Sequence, residues 1–106
     1  MKNIRLQQLL EYLENDPQDP FNRYAVATEY KTERPDLALE MLNELIQLHP
    51  DYLPAYYHAG QLNIHFEKNL EAESVFTKGI ELATLQQDHL ALRELQNALN
   101  ELLFDD

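Results

Sequence analysis

An internal repeat with a period of 34 residues constrains this chain more than any other feature of its 106 residues. Shifting the sequence by 34 positions superposes a set of identical or similar residues: Pro20 on Pro54, Ala25 on Ala59, Glu33 on Glu67, Ala38 on Ala72, Leu42 on Phe76, Ile46 on Ile80 and Leu48 on Leu82. Repeats of this length are supersecondary units that bury their apolar side only against a neighbouring unit. The sequence therefore predicts a stack of similar units.

Each unit is predicted to be helical. Leu, Glu, Ala and Gln dominate the composition, there are only two glycines, and no stretch shows the apolar alternation of a strand. Prolines divide the chain, because a proline fits the first turn of a helix but not its interior. The predicted helices span residues 2–15, 20–32, 35–48, 53–67, 69–85 and 89–104, so the predicted fold class is all-α.

The residues superposed by the 34-residue shift also match the residue pattern of a known repeat family. One helix of the repeat contains aromatic and small residues from Tyr56 to Gly60, and the next contains Ala72, Phe76 and Gly79. In these residues, and over residues 20–83, the chain resembles the tetratricopeptide repeat family, in particular its small bacterial-type members. The resemblance implies antiparallel helix pairs in a right-handed superhelix, and a protein that binds other proteins without catalysing a reaction.

Packing between the two helices of a pair requires small residues where the backbones approach closely. Gly60 is expected to lie against Ala72, with Phe76 bordering the gap, and Ala38 and Leu42 take the corresponding places in the first pair. These five residues form the predicted helix-pair packing set.

The first helices of the two pairs depart from the family pattern. Val26 stands where the second pair has its glycine, and Glu29 and Asn63 stand where the family usually has a tyrosine. Tyr30 and Ile64 follow one residue later. Two explanations remain open: either the turn after the first helix is one residue shorter in both repeats, or these places are polar in this chain.

The domain organisation follows from the repeat and its flanks. We expect a single domain over residues 1–106, with an N-terminal flanking helix (1–17), two repeats (20–50 and 53–84) and a capping helix (86–106). Two helix pairs leave both ends of the stack open, so flanking helices are needed to cover them. The apolar residues Leu102 to Phe104 fit such a cap, and self-association through this helix is the alternative.

Candidate binding residues come from the resemblance, which implies a concave groove lined by the first helix of each pair. The residues at its places are Arg23, Ala27, Tyr30, Tyr57, Gln61, Ile64 and His65. Tyrosine with amide and guanidinium groups is suited to peptide binding. Whether Tyr30 and Ile64 face this groove or the core is left open.

Charge and composition limit the partners. The formal net charge of −11 is spread over both halves of the chain, and the eight lysines and arginines form no cluster, so neither nucleic acid nor an anionic membrane surface is an expected partner. A partner protein or peptide is expected, long-range attraction would favour a basic one, and a homodimer is the alternative. The absence of cysteine and of any membrane-spanning or signal-like stretch favours a cytoplasmic location.

No catalytic or cofactor motif is present. The chain contains neither a phosphate-binding glycine loop nor a nucleophile motif, and the paired acids, such as Glu71 with Glu73 and Asp105 with Asp106, are expected on solvated surfaces. His58 and His65 are seven residues apart, about 10 Å along a helix, which is too far for one metal ion. We therefore expect no enzyme activity, no metal and no cofactor.

Overall fold

Six α-helices make up the computed structural model within residues 3–104, the part of the chain that it describes. They are α1 (Ile4–Asn15), α2 (Pro20–Tyr30), α3 (Pro35–Leu48), α4 (Pro54–His65), α5 (Asn69–Gln86) and α6 (His89–Phe104). The all-α prediction is confirmed, and α2 to α6 begin within one residue of their predicted starts. The predicted start of the first helix at Lys2, and Asp105 with Asp106, lie outside the described residues. No helix within residues 3–104 is long and apolar enough to cross a membrane.

Local chemistry accounts for the helix starts. Prolines 20, 35 and 54 each occupy the first helical position, where their missing N–H would have no helical partner. Asp19 caps α2, its carboxylate accepting a hydrogen bond from the Phe21 N–H at 3.0 Å. Asp88 caps α6 in the same way, accepting from the Ala91 N–H at 3.0 Å. These carboxylates satisfy backbone donors that no helical carbonyl can reach.

Two helices are followed by a residue in the left-handed conformation, and in both cases this residue is not a glycine. Glu67 has a φ of 59° after α4, and Gln87 has a φ of 57° after α5. At both ends the following N–H groups turn back onto carbonyls of the last turn, as Lys68 does onto Asn63 at 2.8 Å and Asp88 onto Ala83 at 3.0 Å. These bonds close the exposed helix ends and direct the chain into the next helix.

The helices form two layers. Each helix packs on its neighbour in the chain, and the even-numbered helices also touch one another, α2 with α4 and α4 with α6. Within residues 3–104 the odd-numbered helices α1, α3 and α5 make no comparable contacts among themselves. The even-numbered helices therefore converge on one side of the molecule and line a shared face.

The core consists of two clusters that meet at α4. The first joins α2, α3 and α4 and contains Ala27, Ala38, Leu39, Leu42, Leu45, Ala55, Ala59 and Leu62. The second lies among α4, α5 and α6 and contains Leu53, Tyr56, Ala72, Phe76, Ala83, Leu95 and Ala98. Since α4 supplies residues to both clusters, it is buried on two of its faces.

Glu29 and Asn63, the polar residues at the positions where the family usually has a tyrosine, both form hydrogen bonds. Asn63 is buried, and its amide donates to the Ala59 carbonyl at 2.9 Å. Glu29 accepts hydrogen bonds from Asn3 at 3.3 Å and Arg5 at 3.2 Å, which tie α1 to α2. Each polar group thus has a local partner, as buried or half-buried polar groups require.

At Gly60, α4 leaves no room for a side chain against Phe76 of α5. A methyl group on this residue would lie 2.6 Å from Cδ1 of Phe76 and closer still to two other ring atoms, and Phe76 has no exposed surface. In the first pair the same two places hold Val26 and Leu42, both fully buried. A larger residue on one helix is thus matched by a smaller one on the other.

We predict that Gly60→Val lowers the free energy of unfolding by about 1–3 kcal/mol, because the buried Phe76 ring cannot move aside. The double variant Gly60→Val with Phe76→Leu, which copies the first pair, should recover part of this loss. Urea denaturation of the wild type, both single variants and the double variant gives the coupling energy, expected at about 0.5–3 kcal/mol. Strictly additive effects would contradict the close approach.

Candidate interaction groove

A groove runs along the face shared by α2, α4 and α6. Its first part is a cavity of about 180 Å³ near the N-terminal ends of α4 and α6, which we call the aromatic cavity. Its lining residues are Tyr24, Leu53, Pro54, Tyr57, His58, Asp88, Ala91, Glu94 and Leu95. Three helices and the turn before α6 thus contribute to one concave site.

The groove continues between α4 and α6 toward their C-terminal ends. A second cavity of about 160 Å³ shares Tyr57 and Glu94 with the first and adds Gln61, Asn97, Ala98 and Glu101. A third, of about 320 Å³, shares Gln61, Ala98 and Glu101 with the second and adds Ile64, Asn69 and Leu102. From Pro54 to Ile64 the groove follows about 15 Å of helix axis.

Four rings in successive contact form a row, which we call the aromatic row, and three of them, Tyr24, His58 and Tyr57, line the aromatic cavity. Phe21 lies 6.4 Å from Tyr24, Tyr24 lies 5.6 Å from His58, and His58 lies 5.7 Å from Tyr57, measured between ring centroids. A phenol with its ordinary pKa of about 10 is neutral at physiological pH, and burial raises the pKa of Tyr24 further. The row therefore presents uncharged aromatic surface.

His58 connects α2 to α4 through Lys31. The Lys31 ammonium lies 3.0 Å from Nδ1 of the imidazole. Because an ammonium can only donate, Nδ1 accepts and the proton of the neutral ring sits on Nε2. Burial, and to a smaller extent the Lys31 charge, lower the pKa of His58 below its ordinary value. The imidazole of His58 is therefore a neutral member of the aromatic row.

The α6 side of the groove carries negative charge. Asp88 and Glu94 line the aromatic cavity and Glu101 lines the part beyond it, whereas no lysine or arginine is among the residues that line the aromatic cavity. Neither Asp88 nor Glu94 takes part in an ion pair within residues 3–104. One wall is thus acidic and the floor is aromatic.

The groove has binding groups but no constellation typical of catalysis. Its amides, Gln61 and Asn97, can each donate and accept hydrogen bonds. Within residues 3–104 no three histidine, cysteine or carboxylate side chains are placed to share a metal ion. What the arrangement can do chemically is to bind polar backbone and to surround a side chain.

Three of the seven residues predicted for the groove do line it: Tyr57, Gln61 and Ile64. They are spaced by four and three residues, which places them on one stripe of α4. Ile64 is half-buried and also packs against the second core cluster, so it belongs to the groove and to the core.

The other four lie elsewhere. Ala27 was expected in the groove, but it has no exposed surface and belongs to the first core cluster, so it has no surface to offer a ligand. Tyr30 is half-buried against the same cluster. Arg23 is mostly covered and forms an ion pair with Glu44 of α3. His65 is exposed and packs its ring edge against Phe66, 4.9 Å away.

The five residues of the predicted helix-pair packing set, Ala38, Leu42, Gly60, Ala72 and Phe76, are all buried. Phe76 meets Gly60 directly, and Ala72 and Phe76 share the second core cluster.

Sequence reasoning missed Tyr24, His58 and the whole α6 wall. The signal for the wall is a polar stripe, Glu94, Asn97 and Glu101, at a spacing of three and four residues beside the leucines that pack inward. The stripe has the same overall length as Tyr57, Gln61 and Ile64 on α4. Neither interpretation of α6, as a cap or as a self-association surface, assigned this stripe to the groove.

Solved structures with this arrangement are known. The solution NMR structure of a tetratricopeptide repeat domain protein from Salinibacter ruber matches with a TM-score of 0.80 and 36% sequence identity, over 86% of this chain and 93% of that chain. A crystal structure of a tetratricopeptide repeat domain protein from Salinibacter ruber gives a TM-score of 0.79 and 35% identity, over 83% and 100%. The chain belongs to the tetratricopeptide repeat family.

A third structural neighbour is the solution structure of a protein from Bordetella parapertussis. It has a TM-score of 0.80 and covers 96% of this chain and 89% of its own, but its 23% identity supports the fold alone. Neither the protein-family models nor the curated proteins compared with the chain match it. The tetratricopeptide assignment made from the repeat is confirmed, and the chain is a helical-repeat module of a kind that generally mediates protein–protein interaction.

We predict that His58 makes the stability of this tetratricopeptide module depend on pH. Because the folded state holds the pKa of His58 below its ordinary value, the unfolded chain takes up the proton first as the pH falls. The contribution of the neutral His58 side chain to the free energy of unfolding is therefore complete above about pH 6.5 and is lost as the pH decreases through the folded pKa. Urea denaturation between about pH 8 and about pH 5 should show a larger loss for the wild type than for His58→Gln.

His65→Gln is the matched control, since His65 is on the same helix but exposed. It should retain the pH dependence of the wild type. The interpretation is wrong if His58→Gln and His65→Gln change the profile equally, or if neither changes it.

Proposed function

We propose that this chain is a non-catalytic adaptor that holds an extended segment of a partner protein in the groove between α2, α4 and α6. The observation that carries the proposal is the continuous series of three cavities along α4 and α6, joined by shared lining residues. The family supports a protein partner in general terms, and the groove supports a particular place and mode.

The amides of the groove favour an extended segment over a docked helix. A groove of about 15 Å accommodates about five extended residues at about 3.3 Å each, and their backbone N–H and C=O groups are free to bond, whereas those of a helix are already paired with each other. Gln61 and Asn97 face each other across the groove in the same cavity, where their amides can pair with the N–H and C=O groups of such a segment. Tyr57, between the first and second cavities, supplies a rigid aromatic contact.

In this proposal the chain acts as one unit. The helix pairs α2–α3 and α4–α5 are the two repeats, and α1 packs on α2 of the first pair. The remaining helix, α6, closes the second pair with Leu95 and Ala98 and supplies one wall of the groove.

We predict that the double variant Tyr57→Ala, Gln61→Ala weakens binding of a groove partner at least about tenfold while helicity is unchanged, because both side chains are at the centre of the groove. Affinity capture with quantitative mass spectrometry identifies proteins that the wild type retains and this variant loses. Calorimetry with the purified partner then measures the change in Kd.

Gln8→Ala, Tyr12→Ala is the matched control, because it removes the same two side-chain types from exposed positions on α1. A partner lost with the groove variant and kept with this control supports the proposal. Equal losses with both variants, or no loss with either, would contradict it.

Self-association through α6 is a second candidate function, favoured by one observation. Leu103 is 45% exposed and Phe104 is 76% exposed, although Leu102 beside them packs against the second core cluster. Apolar side chains left at the end of a stack are typical of a surface that meets another molecule.

If this surface forms a dimer, Leu103→Asp should convert it to a monomer, because a carboxylate in an apolar contact loses its hydration. Sedimentation velocity over a concentration series measures the change, and Leu90→Asp, at an exposed position on the other end of the same helix, serves as control. A wild-type chain that sediments as a monomer at all concentrations would exclude this function.

A further inference from the structure

We propose that the aromatic cavity is a subsite for one arginine side chain of the bound segment. This inference rests on the proposed function and specifies the chemistry of the partner. The cavity combines uncharged rings, apolar residues and carboxylates on one wall. All three features favour an arginine side chain.

The aromatic row supplies the surface on which a guanidinium would stack. Tyr24, His58 and Tyr57 all line the cavity and contact each other ring to ring at 5.6 Å and 5.7 Å. A cation within about 6 Å of an aromatic ring is attracted by the ring's quadrupole, and a planar guanidinium also stacks on it. The neutral state of the imidazole is a condition for this contact, since a protonated His58 would repel the cation.

Charge complementarity comes from α6. Glu94 lines the cavity beside Tyr57, and Asp88 lines it at the start of the helix, where one of its oxygens already caps the Ala91 N–H. Glu94 is therefore the carboxylate available for a two-point contact with a guanidinium. Lys31, at the end of α2, is engaged with His58 and is not among the lining residues.

The apolar part of the cavity fits the stem of the side chain. Leu53, Pro54 and Ala91 line the same space as the rings. An arginine buries its methylene groups along apolar surface while its head reaches a polar partner. A lysine would share the charge but not the planar head, so arginine is the better fit.

NMR titration of the isotope-labelled full chain tests this with three acetylated and amidated pentapeptides: Ala-Gly-Arg-Gly-Ala, and the same peptide with lysine or with citrulline in place of arginine. Citrulline keeps the shape of arginine without its charge. The arginine peptide should shift the amides of Tyr57, His58, Ala91 and Glu94, with an apparent Kd about tenfold lower than that of the citrulline peptide and lower than that of the lysine peptide.

Glu94→Gln should remove most of the preference for arginine over citrulline. Glu81→Gln, the same change of charge on the outer side of α5, should retain it. The inference is overturned if citrulline or lysine binds as well as arginine, if both glutamate variants lose the preference equally, or if the shifts lie outside the aromatic cavity. Acetyl-arginine amide that binds as tightly as the pentapeptide would overturn the extended segment.

The outcomes separate this inference from the function on which it rests. A partner that depends on Tyr57 and Gln61 but not on Glu94 leaves the groove in place and rejects the arginine subsite. A preference for arginine at Glu94, with no partner that depends on Tyr57 and Gln61, rejects the adaptor function instead.

Discussion

The burial of α4 on two sides is the constraint on which the rest of the structure depends. Its residues fall on three stripes with spacings of four and three: Ala55, Ala59 and Leu62 in the first cluster, Tyr56, Gly60 and Asn63 toward α5, and Tyr57, Gln61 and Ile64 in the groove. A helix surrounded in this way has little freedom to rotate, because a turn of one residue that brought Tyr57 against α5 would put His58 in the place of Tyr57 in the groove. The close packing of Gly60 on Phe76 therefore also fixes which side chains a partner meets.

The chemistry of the groove follows from unequal burial of its two walls. On the α2 and α4 side, burial lowers the pKa of His58 and raises that of Tyr24, since the charged form of either group would lose hydration. On the α6 side the carboxylate of Glu94 is exposed to water. The net charge of −11 attracts positive partners over about one Debye length and does so less at high salt, whereas the contact between a cation, the rings and Glu94 acts at short range. Long-range attraction of a positive partner and short-range recognition of its cation are thus separate properties of this surface.

The sequence predicted the helices well because their signals are local. Pro20, Pro35 and Pro54 act through their own ring geometry, so each helix start could be placed without a tertiary structure. The groove required information that is not local. Arg23 is held by an ion pair with Glu44 of another helix, and Ala27 is covered where α2, α3 and α4 converge. The spacing of residues along one helix cannot reveal either contact.

The largest omission, the α6 wall, lies where the 34-residue repeat changes. α5 has 18 residues where α3 has 14, while the connection after it is shorter, so α6 begins 35 residues after α4 and the 34-residue shift does not carry α4 onto α6 in register. Amphipathicity survives this change: Leu92, Leu95, Leu99 and Leu102 pack toward the second cluster. A helix whose apolar stripe is committed to the core must present its polar stripe elsewhere, and the contact of α6 with α4 turns part of that stripe toward Tyr57 and Gln61. The same packing that closes the stack therefore completes the groove, and a change that detached α6 would remove both together.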